Sequence, residues 1–161
     1  MNYTTLTSLI KNHTFTSEEF WQILPFKESV YFRSFSTLYK YEGEKIMVID
    51  PEFVVTALAV YNNEVYVAAK NEGLYVLREN QLKSIANKEV LKNQTITDMV
   101  PFDNGLLIGT QLNGCLLFKD DAFLPFNTDM NNRLKEHQLN KILPLDTGEI
   151  VFGTIKNGIY I

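Results

Sequence analysis

The segment Ile96-Thr97-Asp98-Met99-Val100-Pro101-Phe102-Asp103-Asn104-Gly105-Leu106-Leu107-Ile108-Gly109-Thr110-Gln111-Leu112-Asn113-Gly114-Cys115-Leu116-Leu117 decides how the chain is read. Its apolar runs are only a few residues long and rich in Val, Ile, Leu and Phe, which suits strands and is too short for helices. Asp, Asn and Gly separate them, and these residues tolerate the positive φ that tight hairpins require. The same order returns from Leu139 to Ile161: Lys141-Ile142-Leu143-Pro144-Leu145, Asp146-Thr147-Gly148, Ile150-Val151-Phe152, Gly153-Thr154 and Gly158-Ile159-Tyr160-Ile161.

Two earlier segments follow the same plan. Gln22-Ile23-Leu24-Pro25-Phe26 and Ala57-Leu58-Ala59-Val60-Tyr61 align with the first run. Val30-Tyr31-Phe32 and Val65-Tyr66-Val67 align with the second, ending in Arg33-Ser34 and Ala68-Ala69 where the others end in Gly-Thr. Gly73 opens a third run, 41 residues before Gly114, which itself stands 44 before Gly158. A fourth run follows in three units: Lys45-Ile46-Met47-Val48-Ile49, Leu82-Lys83-Ser84-Ile85 and Phe123-Leu124-Pro125-Phe126. Four short strands every forty-odd residues is the signature of a β-propeller blade. The expected fold is therefore all-β, a propeller of about four blades over 17–54, 55–93, 94–137 and 138–161. The last blade is incomplete, or closed by an outer strand at 3–10; alternatively the chain is a segment of a larger propeller. Pro25, Pro101 and Pro144 belong where no ladder N–H is needed, and the small Gly-Thr or Ala-Ala pair belongs where neighbouring blades crowd. The linker 127–138 has the polarity for a short helical turn.

Composition bounds the function. The 161 residues carry 15 Lys and Arg against 19 Asp and Glu, a net charge of −4, with 45% apolar and 21% charged types. That is an ordinary globular balance, and its acidic excess argues against a nucleic-acid grip. No run approaches the roughly 18 apolar residues of a membrane span, and Met1 to Leu6 lacks the pattern of a signal peptide. A single cysteine leaves the redox compartment open.

Catalytic and metal chemistry find little support. His13 and His137 lie in linkers without ligand partners at zinc spacing. Asp120-Asp121 and Asp103-Asn104-Gly105 read as turns, because a calcium loop needs several oxygen ligands at set intervals. Cys115 sits inside an apolar strand and reads as a small hydrophobe. There is no Gly-x-Ser-x-Gly, no Asp-box and no distinctive carboxylate pair for glycoside hydrolysis. Three Asn-x-Thr triplets begin at Asn2, Asn12 and Asn93, a pattern common by chance. Trp21 is expected to pack between blades. No cofactor and no metal are expected. The candidate ligand-binding residues are the polar ones between second and third strands: Lys70 and Asn71, Gln111 and Asn113, Lys156 and Asn157, read as occupying the same place in each blade.

The aligned unit resembles the two-component-regulator propeller repeat of bacterial sensors, particularly those of Bacteroidetes; 96–117 and 139–161 carry the match most closely. The stretch from Phe20-Trp21 through Val30-Tyr31-Phe32-Arg33-Ser34-Phe35 to Tyr39-Lys40-Tyr41-Glu42-Gly43 resembles blades of the subgroup preceding a triple-tyrosine domain. The usual second-strand Trp is replaced by Tyr31, Tyr66, Leu107 and Val151, and the first unit has Leu38 in place of the later Gly. The resemblance implies a periplasmic or extracytoplasmic module that senses a small molecule, an oligosaccharide or a partner. It also implies downstream signalling domains in the same longer protein, including a membrane helix and a kinase or helix-turn-helix output. The expected function is non-catalytic sensing within a signal-transduction or transcriptional regulator. The alternatives are a scaffold for protein–protein contact without a small ligand, or a propeller hydrolase or lyase.

Overall fold

The computed structural model describes residues 3–10, 19–85 and 88–161. His13 and the triplets at Asn2 and Asn12 involve residues outside that set. The chain divides into two compact units, Met1–Val55 and Thr56–Ile161, and each is a product of the repeat.

In the first unit, β1 (Gln22–Phe26), β2 (Ser29–Arg33), β3 (Leu38–Glu42) and β4 (Lys45–Ile49) form one antiparallel sheet in sequential order. The β3–β4 hairpin pairs Glu42 with Lys45 across Gly43 and Glu44, both at positive φ. Side chains on β2 alternate between buried and half-buried, as a strand of period two must. The expected Gly-Thr and later Gly are missing here, yet the turn is held by equivalent chemistry. Ser34 Oγ accepts from the Thr37 N–H (2.9 Å) and donates to the Thr37 carbonyl (3.1 Å), carrying the chain into Leu38. Buried Arg33 donates to the Val55 carbonyl at 2.8 Å, tying the sheet to the segment that leaves it.

Residues 3–10 do not form the outer strand that was one of the readings open for them. Leu6–Leu9 is a short helix, α1, and no sheet includes these residues. The Thr5 carbonyl accepts both the N–H and the hydroxyl of Ser8, at 3.0 and 2.7 Å. That local closure competes with extended pairing, as Ser and Thr side chains commonly do. Trp21 also departs from expectation: it is 53% exposed and packs on Phe35, with ring centroids 5.1 Å apart.

The second unit contains three sheets. The first is β5 (Val55–Tyr61), whose first residue marks the division, with β6 (Glu64–Ala69), β7 (Gly73–Arg78) and β8 (Gln81–Ser84). The second is β9 (Ile96–Phe102), β10 (Gly105–Thr110), β11 (Gly114–Lys119) and β12 (Ala122–Pro125); the third is β13 (Leu139–Pro144), β14 (Ile150–Thr154) and β15 (Ile159–Tyr160). Each meanders in chain order. The hairpins at Asn62-Asn63, Glu79-Asn80, Asp103-Asn104 and Asp120-Asp121 have positive φ at both central residues, the backbone of a two-residue turn matched to strand twist. The recurring prolines lie on β1, β9 and β13, each an edge strand in its sheet, where a missing N–H breaks no ladder.

Sheets of this unit pack through small residues. A Cβ on Gly109 would stand 2.6 Å from Leu139 Cδ2 and 2.8 Å from Ile142 Cδ1, both on the next sheet. The crowding expected at the Gly-Thr pair is therefore present there. Asp98, buried on β9, accepts from the Ile142 N–H at 2.9 Å and lies 3.4 Å from Lys141 Nζ. Tyr66, Phe118 and Phe123 form an aromatic chain in the core, with successive centroids 5.9 and 5.0 Å apart. Tyr66, at the second-strand position, thus serves packing.

The two linkers differ. Lys88–Leu91 makes a single 3-10 turn, whereas Asp129–His137 is an α-helix, α2. Leu134 of α2 enters a cluster with Leu107, Cys115, Leu139, Ile142 and Phe152. The Asn131 carboxamide accepts from the Cys115 N–H (2.7 Å) and donates to its carbonyl (3.3 Å). β12 pairs with β11 only as far as Leu116, so Asn131 satisfies backbone groups that the neighbouring strand leaves bare.

Candidate functional site

The candidate residues of the second unit sit at one end of its sheets, where second strands turn into third strands and linkers lead into the next sheet. Backbone bonds join these two kinds of loop. Gln111 N–H donates to the Thr95 carbonyl (2.9 Å), and Ile155 N–H donates to the Gln138 carbonyl (2.9 Å). Asn71 N–H donates to the Gln94 carbonyl (3.3 Å), while Asn93 N–H returns a bond to the Asn71 carbonyl (3.1 Å).

The turns themselves rest on the Gly-Thr threonines. Thr110 Oγ1 accepts from the Asn113 N–H (3.1 Å) and donates to the Gly114 carbonyl (2.8 Å). Thr154 Oγ1 does the same with Asn157 (3.2 Å) and Gly158 (2.9 Å). Gly114 and Gly158 follow at φ 71° and 72°, a conformation that favours glycine. Asn113 and Asn157 are absent from the positive-φ residues, so the backbone does not demand their carboxamides.

The expected equivalence needs two corrections. Counting back from the glycine that opens the third strand, Asn113 and Asn157 stand one residue before it and Asn71 two before Gly73, while Lys70 and Gln111 stand three before theirs and Lys156 only two before Gly158. Asn71 has φ 62°, and the N–H one residue before Gly73, that of Glu72, bonds the Ala69 carbonyl instead of a hydroxyl. Ala69 lacks the oxygen that fixes the other turns, so Asn71 takes a backbone role.

Two groupings result. Gln111 and Asn113 line a cavity of about 50 Å³ with Asn93, Gln94, Thr95 and Leu112, and Asn71 is one hydrogen bond away. Lys156 and Asn157 belong to a second grouping. There Lys156 N–H donates to the His137 carbonyl, the Asn157 amide bonds the Tyr160 hydroxyl, and that hydroxyl bonds His137 Nδ1. The His137 and Tyr160 rings stack, 3° from parallel. Lys70 is exposed at its turn. The residues that sequence reasoning missed are Gln94, His137 and Tyr160. The signal for the first two was position: both stand two residues before a first strand, beside the turn of the following hairpin.

The chemistry at this end mixes carboxamides with the exposed charges of Lys70, Glu72 and Lys156. Carboxamides dominate, and among the described residues no three His, Cys, Asp or Glu converge as a metal site. Cys115 lies just beyond Gly114, but burial pushes its thiol up to about 12, far from a nucleophile's range. The first unit has a separate polar hollow of about 440 Å³ beside the β1–β2 turn, lined by Ser29, Tyr31, Lys40 and Glu42 among others. The Glu42 carboxylate accepts from Ser29 Oγ at 2.6 Å and from Lys40 Nζ at 3.0 Å. These bonds, the Ser29 one foremost, hold the Glu42 carboxyl below its usual range.

No protein-family model matches the chain, and no curated protein matches it. Solved structures do. The extracellular domain of the proposed one-component system BT4673 from B. thetaiotaomicron superposes with a TM-score of 0.69 at 19% identity, over 88% of this chain and 20% of that one. The fold is that of a β-propeller. The extracellular domain of the proposed hybrid two-component system BT3049 from B. thetaiotaomicron gives 0.64 at 19% identity, over 90% of this chain and 20% of the other. BamB from Moraxella catarrhalis gives 0.61 at 10% identity, over 85% and 41%. The chain therefore spans about a fifth of the length of the B. thetaiotaomicron domains it resembles. Among the described residues, no helix is long and apolar enough to cross a membrane.

Proposed function

We propose that the chain is a non-catalytic sensing module of an extracytoplasmic bacterial signalling protein, binding a neutral polar ligand such as a small polyol or an oligosaccharide. The observation that carries the reading is the likeness of most of the chain to extracellular domains of signalling systems. The carboxamide-lined end of the second unit supports it, since carboxamides offer donors and acceptors together without charge. Lys70, Asn71, Gln111, Asn113, Lys156 and Asn157 are the proposed contacts, with Gln94 added by the cavity. Binding transmits a signal only if the ligand prefers one of two states of the longer protein, so the downstream domains are the partners this reading requires.

Thermal denaturation against a panel of neutral oligosaccharides tests the proposal. A ligand at about 100 times its Kd adds about 2.7 kcal/mol, a rise of about 5–10 °C for a chain of this size. A saturable rise that is lost in Asn113→Ala/Asn157→Ala supports it; no saturable rise across the panel overturns it. A second reading, a contact surface for another protein, has its own observation. Leu112 and Ile155 stand 58% and 55% exposed in the turns at this end. Replacing both with Ser would abolish partner binding on that reading and leave oligosaccharide binding intact on the first.

A further inference from the structure

We propose that the outer face of the third sheet in the second unit docks a second copy of this chain, with the copy's Phe20 and Ile23 seated beside Gly153. The way one sheet meets the next sets the pattern. Five residues before the glycine that opens the third strand stands a small residue: Ala68, Gly109 or Gly153. Five and two residues before the place of the recurring proline stand apolar ones: Phe20 and Ile23, Val55 and Leu58, Ile96 and Met99, Leu139 and Ile142. Within the second unit, the small residue of one sheet receives the apolar pair of the next. Ala68 shares a cluster with Ile96 and Met99. Gly109 lies so near Leu139 and Ile142 that a Cβ would stand 2.6 and 2.8 Å from them. All four of these apolar residues are buried.

One hole and one pair of knobs stay unmatched. At Gly153 a Cβ would meet only Lys141 of its own sheet, at 3.6 Å and beyond. The strand register sets Lys141, Gly153 and Ile159 side by side on this face, next to Leu143 and Val151. Ile142, Phe152 and Tyr160, on the opposite face, pack with Leu107 and Cys115 of the second sheet. Ile159 is 70% and Leu143 58% exposed, whereas Cys115 and Leu107, at the places of Ile159 and Val151 in the second sheet, are buried. In the first unit Ile23 is 65% and Phe20 41% exposed. Ile23 stands opposite Phe32, on a face that α1 covers incompletely. A hollow of about 310 Å³ lies there, lined by Thr4, Leu9, Phe32, Tyr41 and Ile46. Open apolar faces of this kind mark interaction sites, and each has its match on the same chain. A second copy therefore extends the contact that already joins the sheets of the second unit. Because the two faces differ, the association runs head to tail and gives a closed pair or a longer row.

Analytical ultracentrifugation of the full chain over a rising concentration series tests this. The wild-type mass is expected to climb above that of a monomer. Gly153→Val fills the hole with a residue that suits a strand and has open space in the single copy, so the monomer keeps its fold. Ile23→Asp charges a knob that already faces solvent. Each should weaken the association by about tenfold or more. An equal mixture of the two variants retains one good hole and one good pair of knobs. It should regain association and stop at one copy of each. If Gly153→Val does not fold, Ile159→Asp blocks the same face from an exposed position and takes its place in the mixture. A wild-type chain that stays monomeric throughout overturns the proposal, whether the faces close within one copy or meet another part of a longer protein. So does association that both variants retain, and so does a mixture no heavier than its parts.

Discussion

Replacing Gly109 with Ala isolates the packing that joins two blades of the second unit. The new Cβ would lie 2.6 Å from Leu139 Cδ2 and 2.8 Å from Ile142 Cδ1, whereas carbon atoms attract best at about 3.5–4.0 Å. Both neighbours are buried, at 0% and 4% exposure, so neither tip can swing into solvent. Overpacking of this kind costs about 1–3 kcal/mol. Removing a strand glycine returns about 0.5–1 kcal/mol, leaving a net loss of up to about 2.5 kcal/mol. At about 2–4 °C per kcal/mol, the melting temperature should fall by up to about 10 °C. Gly153, at the matching place on β14, is the internal control. Its Cβ would meet nothing nearer than Lys141 Cβ at 3.6 Å, so Gly153→Ala should melt no lower than the parent chain. Calorimetry of both variants beside Gly109→Ala/Ile142→Val should show the trimmed neighbour recovering part of the loss, the non-additivity expected of touching side chains. Equal melting temperatures for Gly109→Ala and Gly153→Ala would refute the close approach of these sheets.

Other expectations follow from single contacts. Thr110→Val strips both partners from a buried turn and should cost about 1–3 kcal/mol by urea titration, while Thr110→Ser keeps the hydroxyl and most of the stability. Asp98→Ala leaves the Ile142 N–H without its acceptor and should cost about 1.5–3 kcal/mol. Lys141→Ala, whose charge is 64% exposed, should cost under about 1 kcal/mol, so a larger loss for the lysine would reverse their roles. The Cys115 thiol, raised by burial from 9.0 to about 12, gives stability that is complete below pH 9. That stability falls as the pH climbs towards 12, because the unfolded chain releases its proton first. Comparing the urea midpoint from pH 8 to 10.5 with that of Cys115→Ala isolates this slope, and identical slopes would mean that the thiol is not buried.

The repeat was legible because its determinants are local. Asp103-Asn104 and Asp120-Asp121 announce turns through residues that tolerate positive φ, and Gly114 and Gly158 do so again. Lys27 reaches positive φ without such chemistry, so that turn was found only by its place in the period. What the sequence concealed depends on partners distant along the chain. Asp98 looks like any polar residue until Ile142, 44 positions on, is seen to need its carboxylate. Gln94 is unremarkable in a polar linker until its amide is pinned by Val90. Trp21 misled because a Trp ahead of a first strand more often packs between blades, whereas here it rests on Phe35 and stays 53% exposed.

The recurrence of Asn before Gly illustrates how a repeat mixes structural and functional signals. A turn closed by threonine needs the glycine's φ and the N–H before it, and neither requirement specifies asparagine. Where the threonine is absent, at Ala69, the asparagine moves one place and adopts φ 62° itself, so its identity there is explained by backbone geometry. Asn157 is also partly accounted for, since its amide bonds Tyr160. Among the described residues the Asn113 side chain makes no hydrogen bond, and it lines the small cavity beside Gln111. Structural bonds account for Asn71 wholly and for Asn157 in part without preventing either from touching a ligand. Asn113 carries the least structural duty, and its cavity, shared with Gln94 and Gln111, makes this end of the second unit the place to look for a ligand.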